Sequence, residues 1–294
     1  MNFTDRLNEY QKEKNSLLCV GLDSDISQIP RSIKKYSKGP YHAIFNFNQK
    51  IISETLDHVC AYKINVAFYE SQWTEGLIAL NNTISLIHET EPDLPVILDA
   101  KRADIGNTNE QYATAIFDVL KADAVTVNPL FGRESLDPFL KRADKGIIVL
   151  CLTSNSGADE FQKMKVLSTA LKKVLGKRYL CYLYEQIAHN VAHHWNKNNN
   201  CLLVVGATHV NELRTVRIII GEEMPILVPG IGAQGGNLEE SLKAGLNDDG
   251  QGLIINSSRD IIFHSKERDF AKVAGQRAKG LKDQINKKRM IMER

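Results

Sequence analysis

The sequence predicts a single α/β domain, residues 1–294, folded as a (β/α)8 barrel (TIM barrel). Eight short apolar segments alternate with stretches of helical spacing, which is the pattern of strand–helix units around a parallel sheet. Polar residues recur directly after these segments, at the end where barrels of this class build their sites. A doubly wound open sheet is the alternative, and the recurrence of polar residues at the strand ends argues against it.

The strands are predicted from apolar, β-branched runs that are too short for helices. They cover residues 17–22, 60–68, 94–98, 124–130, 146–153, 201–207, 225–229 and 252–259. Helical spacing marks an opening helix from Phe3, with Thr4 as a candidate cap, and further helices at 43–56, 70–88, 107–120, 210–219 and 269–286. Residues 159–200 exceed one connecting helix, so we expect a helical insertion there with two segments.

Composition narrows the class of protein. A net charge of +2 argues against a dedicated nucleic-acid surface, and 43% hydrophobic residues supply ample material for a core. The five cysteines lie mostly in apolar runs without C-x-x-C spacing, as buried thiols in a reducing compartment do. No apolar run approaches membrane-spanning length, and the first residues lack a signal-peptide layout. We therefore expect a cytoplasmic enzyme or binding protein with no membrane partner.

The most informative segment is Leu98-Asp99-Ala100-Lys101-Arg102-Ala103-Asp104-Ile105-Gly106-Asn107-Thr108. Side chains alternate between the faces of a strand, so Asp99 and Lys101 point the same way as Ile97. A carboxylate and an ammonium on one face of a buried strand are costly unless they are paired. A structural ion pair and a catalytic pair are the two interpretations of this segment.

Charged residues also follow other strands. Asp23 after the first strand belongs either to a simple turn or to a site, and Lys63 lies among residues too apolar for an exposed edge. The Gly230-Ile-Gly-Ala-Gln-Gly-Gly loop offers backbone amides to an anion, although a flexible turn is the alternative. Arg259 after the eighth strand favours a phosphate site, because strand ends seven and eight are neighbours in a closed barrel.

Closure of the barrel would bring three carboxylates and two ammoniums together. Unit charges about 4 Å apart interact by roughly 4 kcal/mol at an effective dielectric near 20. Such a cluster would hold Lys101 protonated and fix its position, so that its ammonium could stabilise and then protonate a carbanion. No Ser-His-Asp, Cys-His or metal-ligand pattern competes with this group, whose members are Asp23, Lys63, Asp99, Lys101 and Asp104.

The segment Asp99-x-Lys101-x-x-Asp104-Ile105-x-x-Thr108 resembles the motif of the orotidine 5′-monophosphate (OMP) decarboxylase family. Its D-x-K-x-x-D core is shared with other phosphosugar barrels. The likeness extends along nearly the whole barrel and is closest to the longer, bacterial-type branch. It rests further on Gly21-Leu-Asp23, Lys63-Ile-Asn65-Val-Ala-Phe68, Val127-Asn-Pro, Val204-Val-Gly-Ala-Thr208 and Pro229-Gly-Ile-Gly-Ala-Gln234-Gly.

The resemblance implies a cofactor-free, metal-free conversion of OMP to UMP and CO2 in de novo pyrimidine synthesis. It assigns catalysis to Lys63, Asp99, Lys101 and Asp104, and implies a homodimer in which Asp104, Ile105 and Thr108 serve the neighbouring subunit's site. Asp23 and Lys63 would hold ribose hydroxyls, Ser154 the pyrimidine edge, and Gln234 both base and phosphate. Arg259 would bind phosphate, and Pro229 and Ser258 complete the implied substrate-binding set. The family loop often has proline where Ser156 stands.

Two other functions fit parts of the pattern. A metal-dependent phosphosugar decarboxylase or aldolase on the same barrel would share the D-x-K-x-x-D core and use a divalent ion. A catalytically silent binding protein for phosphorylated ligands would keep Arg259 and the glycine-rich loop. Such a protein has no need of Lys101 beside two aspartates.

Overall fold

The computed structural model describes residues 2–168, 180–231 and 235–292, and eight parallel strands in it close into a barrel. Each strand pairs with its sequence neighbour, and the last pairs with the first. The (β/α)8 barrel is confirmed, and the open-sheet alternative is wrong. The strands are β1 (Leu18–Gly21), β2 (Ala61–Asn65), β3 (Val96–Arg102), β4 (Ala124–Val127), β5 (Gly146–Leu152), β6 (Cys201–Val205), β7 (Ile226–Pro229) and β8 (Leu253–Ser257).

Helices follow every strand and surround the barrel. Within the described residues, none of them combines the length and apolarity needed to cross a membrane. They are α1 (Phe3–Lys14), α2 (Arg31–Lys34), α3 (Pro40–Thr55), α4 (Ala67–Glu70), α5 (Trp73–Thr90), α6 (Gly106–Ala113), α7 (Gly132–Leu140), α8 (Leu183–Asn190), α9 (Val210–Ile220), α10 (Leu238–Gly245), α11 (Arg259–Ile262) and α12 (Phe270–Met292). π-Helical turns extend α6 through Thr114–Val119 and α8 through Val191–Trp195.

The insertion after β5 differs in part from the predicted pair of helical segments. Lys165–Leu167 pairs antiparallel with Leu180–Tyr182, and α8 begins directly after this ladder. The ladder continues into the helix through the Leu183 amide, which donates to the Met164 carbonyl. Residues 169–179 lie outside the described residues, so the prediction of a further helical segment there stays a prediction.

The barrel interior is a separate apolar core that α1 closes from below. Phe3 and Leu7 pack into the amino-terminal opening, and glycine at 146 is needed because a Cβ there would lie 2.5 Å from the Phe3 ring. Every strand contributes an inward apolar residue to this core: Cys19, Ala61, Ile97, Ala124, Ile148, Leu202, Leu227 and Ile254. The alternate residues of β3 pack outward under the helices, as the alternation predicts.

The first turn of α1 differs from its prediction, because its cap is Asn2 and not Thr4. The Asn2 side chain accepts a hydrogen bond from the Asp5 amide at 2.9 Å, which satisfies one of the free amides of the helix start. Thr4 lies inside the helix and is buried. Asn and Thr both cap helices well, so residue type alone does not distinguish the two candidates. The cap is the residue directly before the first helical residue, which is Phe3.

A buried carboxylate fastens α1 beneath the barrel. Asp123 at the start of β4 accepts from Arg6 at 2.6 Å, from the Val96 amide at 2.9 Å, and contacts His88 Nε2 at 2.9 Å. Although burial opposes it, these partners lower the pKa of Asp123, so its charge is retained. The network joins α1, β3, β4 and α5 at the end of the barrel opposite the polar strand ends.

Candidate active site

The carboxyl ends of the strands surround a cavity of about 420 Å³. Residues that alternate with the apolar interior layer point into it, so the layer above that core is polar. Eight of the predicted site residues line this cavity together: Asp23, Lys63, Asp99, Lys101, Ser154, Pro229, Ser258 and Arg259. Residues predicted from the strand-end rule and from the resemblance therefore meet in one cavity.

Lys63 is a buried ammonium between two carboxylates. Only 4% of the residue is exposed, and its Nζ lies 3.1 Å from Asp99 Oδ2 and 3.6 Å from Asp23 Oδ1. Burial alone would lower the pKa of Lys63, but the charges of Asp99 and Asp23 raise it above its ordinary value. Lys63 therefore stays protonated, and it has the partners that the sequence predicts it must have.

Lys101 approaches Asp99 from the other side. Its Nζ lies 2.7 Å from Asp99 Oδ1, and its side chain is half exposed at the mouth of the cavity. The backbone of Lys101 has φ +48°, in the left-handed region that non-glycine residues seldom adopt. The pairing of β3 with β4 shifts register between Leu98 and Arg102, so this conformation lies within a bulge.

Asp99 is the centre of the array. Its carboxylate accepts hydrogen bonds from Lys63, Lys101 and the Thr126 hydroxyl, the last at 2.8 Å. Burial would raise the pKa of Asp99, yet the two ammoniums and these hydrogen bonds hold it well below its usual range. The site thus keeps a fixed negative charge between two positive ones at neutral pH.

The opposite side of the cavity is suited to an anion. Gly230 begins the loop after β7 with φ +99°, and its carbonyl accepts from the Gly236 amide at 3.2 Å, which closes the loop on itself. Arg259 at the start of α11 is exposed, and the described part of the chain provides no ion pair for it. Gln234, the remaining residue predicted here, lies outside the described residues.

Ser258 also depends on a glycine. A Cβ at Gly21 would lie 1.9 Å from Ser258 Oγ, so the end of β1 must be free of a side chain for Ser258 to take its place in the cavity wall. Asn256 donates to the same hydroxyl at 3.4 Å. These contacts join the first and last strands of the barrel directly beside Arg259.

The loop that carries Ser154 is held by the insertion. Gln162 accepts from the Thr153 amide at 2.7 Å and donates to the Thr153 hydroxyl at 3.0 Å. A Cβ at Gly206 would lie 2.8 Å from Ser154 Cβ, so β6 ends in close contact with the loop. Ser156 is the first residue of a 3-10 helix, a position at which the backbone also accepts proline.

Asp104, Ile105 and Thr108 do not line the cavity. Asp104 Oδ1 accepts from the Ile105 amide at 2.7 Å, and the Thr108 amide donates to the Ile105 carbonyl at 3.1 Å. Ile105 is 61% exposed, which is unusual for a large aliphatic residue. Within one chain, these three residues form a rim beside the site instead of part of its wall.

Sequence reasoning missed two polar residues in the layer above the apolar interior of the barrel. Thr126 on β4 contacts Asp99 and Lys101, while Asn256 on β8 lines the cavity with a buried side-chain oxygen that has no hydrogen-bond partner. Both occupy inward positions, two residues after an interior apolar residue of their own strand. The alternation that identified Asp99 could therefore have identified them.

No cluster of three side chains that could bind a metal ion occurs within residues 2–168, 180–231 and 235–292.

The fold and this site define a class: (β/α)8-barrel proteins with a charged, lysine-containing site at the carboxyl ends of the strands. Residues 16–273 match the model of the orotidine 5′-phosphate decarboxylase / HUMPS family, and the chain belongs to that family. It is 44% identical to the orotidine 5′-phosphate decarboxylase of Cellvibrio japonicus (strain Ueda107), with 97% of this chain and 98% of that protein covered.

Two further relatives agree. The orotidine 5′-phosphate decarboxylase of Cupriavidus metallidurans is 45% identical, with 98% of this chain and 99% of that protein covered. The solved structure of Leishmania donovani OMP decarboxylase superposes with a TM-score of 0.80 at 38% identity, and 99% of each chain is covered. The family resemblance inferred from the motifs is confirmed.

Replacing Asp99 by asparagine removes the main charge that compensates the buried Lys63. We expect Asp99→Asn to lower the free energy of unfolding by about 3–5 kcal/mol at pH 7, the usual cost of breaking a buried pair. Because the folded-state pKa of Asp99 is depressed, this contribution is present above its unfolded value of about 3.9 and is lost as the pH falls through the folded pKa. The difference in urea unfolding between wild type and variant should therefore shrink below about pH 4.

The control is Asp283→Asn, which removes a carboxylate from an exposed pair with Lys279 on α12. That pair is solvated, so its loss should change the unfolding free energy little at either pH. Equal losses in the two variants, or a loss in Asp99→Asn that does not depend on pH, would contradict the assigned charge state of Asp99.

Proposed function

We propose that this protein is an orotidine 5′-phosphate decarboxylase, which converts OMP to UMP and CO2 in the last step of de novo UMP synthesis. The observation that carries the proposal is the ammonium of Lys101, 2.7 Å from the buried carboxylate of Asp99 at the mouth of the cavity. The names of the relatives, which match over nearly the whole chain, support the same reaction. The proposed reaction uses neither a metal ion nor a cofactor.

The proposed substrate extends across the cavity from its anion-binding side to the charged array. Arg259 and the amides of the loop after β7 bind the phosphate, together with Gln234. Asp23 and Lys63 hold the ribose hydroxyls, and Ser154 contacts the pyrimidine edge. Pro229 and Ser258 complete the wall. This arrangement is supported by the positions of the described residues around one cavity, with Lys101 and Arg259 both in its lining.

In the proposed reaction, the bond between C6 and the carboxylate carbon breaks and leaves its electron pair on C6. The ammonium of Lys101 stabilises that carbanion and then donates a proton to it, so that CO2 leaves and UMP forms. Asp99 lies beside the substrate carboxylate and destabilises it by like-charge repulsion. Lys63 keeps Asp99 ionised throughout. Phosphate binding, remote from the bond that breaks, supplies the free energy that brings the two carboxylates together.

The proposal includes a cytoplasmic homodimer with shared sites. Asp104, Ile105 and Thr108 reach the partner's cavity, which agrees with their absence from the cavity of their own chain and with the exposure of Ile105. Further large apolar side chains are exposed after β4, at Leu130 and Phe131, and suit burial against a second copy. The five free, buried cysteines suit a reducing compartment.

An ultraviolet assay with OMP tests the reaction directly. We expect wild-type protein to convert OMP to UMP at the same rate with and without EDTA. Loss of activity with EDTA would favour the metal-dependent phosphosugar chemistry that shares the D-x-K-x-x-D core. Binding of OMP without turnover would identify a silent binding protein, and either result would overturn the proposal.

In the same assay, Lys101→Ala should abolish turnover, because no other described acid lies as close to Asp99 at the mouth of the cavity. Binding of UMP should survive in part, since the phosphate contacts are unchanged. A matched control is Lys243→Ala, which removes an exposed lysine that pairs with Glu239 away from the cavity. Retention of a tenth of wild-type activity, about 1.4 kcal/mol in barrier, would rule out Lys101 as the proton donor.

Mixing two inactive variants tests the shared site. Heterodimers of Lys101→Ala and Asp104→Ala chains would hold one site that lacks both residues and one intact site. We expect activity to return on mixing, towards half of the wild-type value per heterodimer. If native mass spectrometry shows that heterodimers form and activity does not return, Asp104 acts within its own chain.

A further inference from the structure

Thr126 on β4 contacts both charged groups that the proposed reaction requires. Its side chain is buried, and its Oγ1 donates to Asp99 Oδ1 at 2.8 Å while it accepts from the Lys101 amide at 2.9 Å. One neutral hydroxyl thus contacts the carboxylate of one residue of β3 and the backbone of another. It lines no part of the cavity, so it would act without touching substrate.

The contact with the Lys101 amide lies where the sheet ladder is irregular. The register between β3 and β4 shifts after Leu98, and Lys101 adopts φ +48° within the shifted segment. A regular ladder would satisfy this amide with a backbone carbonyl, whereas here the Thr126 hydroxyl takes that role. A non-glycine residue persists in the left-handed region only where its surroundings hold it there. Thr126 provides such a contact directly at the strained residue.

The contact with Asp99 differs in kind from those of the two lysines. The side chain of Lys101 is half exposed and must turn towards C6 to deliver its proton in the proposed reaction. Thr126 is β-branched, which restricts its side-chain torsion, and it belongs to β4, a strand whose four residues are all buried. The hydroxyl can therefore keep Asp99 Oδ1 in place while the ammonium that shares this oxygen moves away.

We propose that Thr126 is a positioning residue, which holds the Asp99 carboxylate against the substrate carboxylate and the Lys101 backbone in its left-handed turn. The inference rests on the proposed decarboxylation. Like-charge repulsion raises the free energy of the bound substrate only if the repelling carboxylate cannot rotate away. Without the hydroxyl, the Asp99 carboxylate can rotate away from the substrate carboxylate. The free energy of the bound substrate then falls, the activation barrier rises, and the reaction is slower.

The test compares two substitutions that separate the hydroxyl of Thr126 from its branched shape. Thr126→Val removes the hydroxyl and keeps the branched shape, whereas Thr126→Ser keeps the hydroxyl. For Thr126→Val we expect kcat for OMP to fall about ten- to hundredfold, the effect of losing one hydrogen bond to a charged group. KM for OMP should not rise, and the Kd for UMP, which lacks the carboxylate, should stay at the wild-type value. Thr126→Ser should restore most of kcat.

Several results would overturn the inference. If kcat of Thr126→Val stays within twofold of wild type, the hydroxyl does not position the array. If kcat and UMP affinity fall together, or if Thr126→Val does not fold by circular dichroism, Thr126 has a general structural role instead. Wild-type protein without any turnover of OMP would refute the proposed function and this inference with it, whereas an active wild type with an equally active Thr126→Val refutes this inference alone.

Discussion

The structure depends on one buried carboxylate that is held between two ammoniums. Asp99 contacts Lys63 at 3.1 Å and Lys101 at 2.7 Å; Asp99 and Lys63 are buried, whereas the Lys101 side chain is half exposed at the cavity mouth. Neither of the two buried charges, Asp99 and Lys63, is stable there alone, because the cost of desolvating an isolated ion far exceeds what one hydrogen bond returns. Only strands that lie side by side can bring them together, and the parallel pairing of β2 with β3 does so. The charge array therefore requires this strand pairing, and the polar layer at the carboxyl ends of the strands is organised around the array.

The two ends of the barrel have different roles: the amino-terminal end stabilises the fold, and the carboxyl-terminal end forms the cavity. Its lower half is apolar, closed by Phe3 and Leu7, and fastened by the Asp123 network. Its upper half carries the charged array and the exposed Arg259. An anionic substrate that enters such a cavity is attracted at one end and, in the proposed reaction, opposed at the other by Asp99. Binding free energy from the phosphate would then be used at the reacting carbon, which is how remote contacts accelerate a chemical step.

Strand alternation and the strand-end rule account for most of what the sequence predicted. The alternation around Ile97 correctly placed Asp99 inside, and the apolar surroundings of Lys63 correctly required a buried partner. The bulge at Lys101 and its φ of +48° were not predictable, because register shifts depend on the neighbouring strand. The role of Thr126 follows from that bulge. The antiparallel ladder in the insertion pairs segments 13 or more residues apart, a contact that local spacing does not encode.

The ionisation of Asp99 can be measured directly. Its carboxyl carbon can be followed by 13C NMR between pH 7 and pH 3, with the resonance assigned by its loss in Asp99→Asn. If Lys63 and Lys101 hold the carboxylate as the structure indicates, its chemical shift will remain that of the ionised form through about pH 4, where an ordinary aspartate titrates. A titration midpoint at or above about 3.9 would mean that the two ammoniums do not stabilise the charge of Asp99, and it would contradict an array organised around that carboxylate.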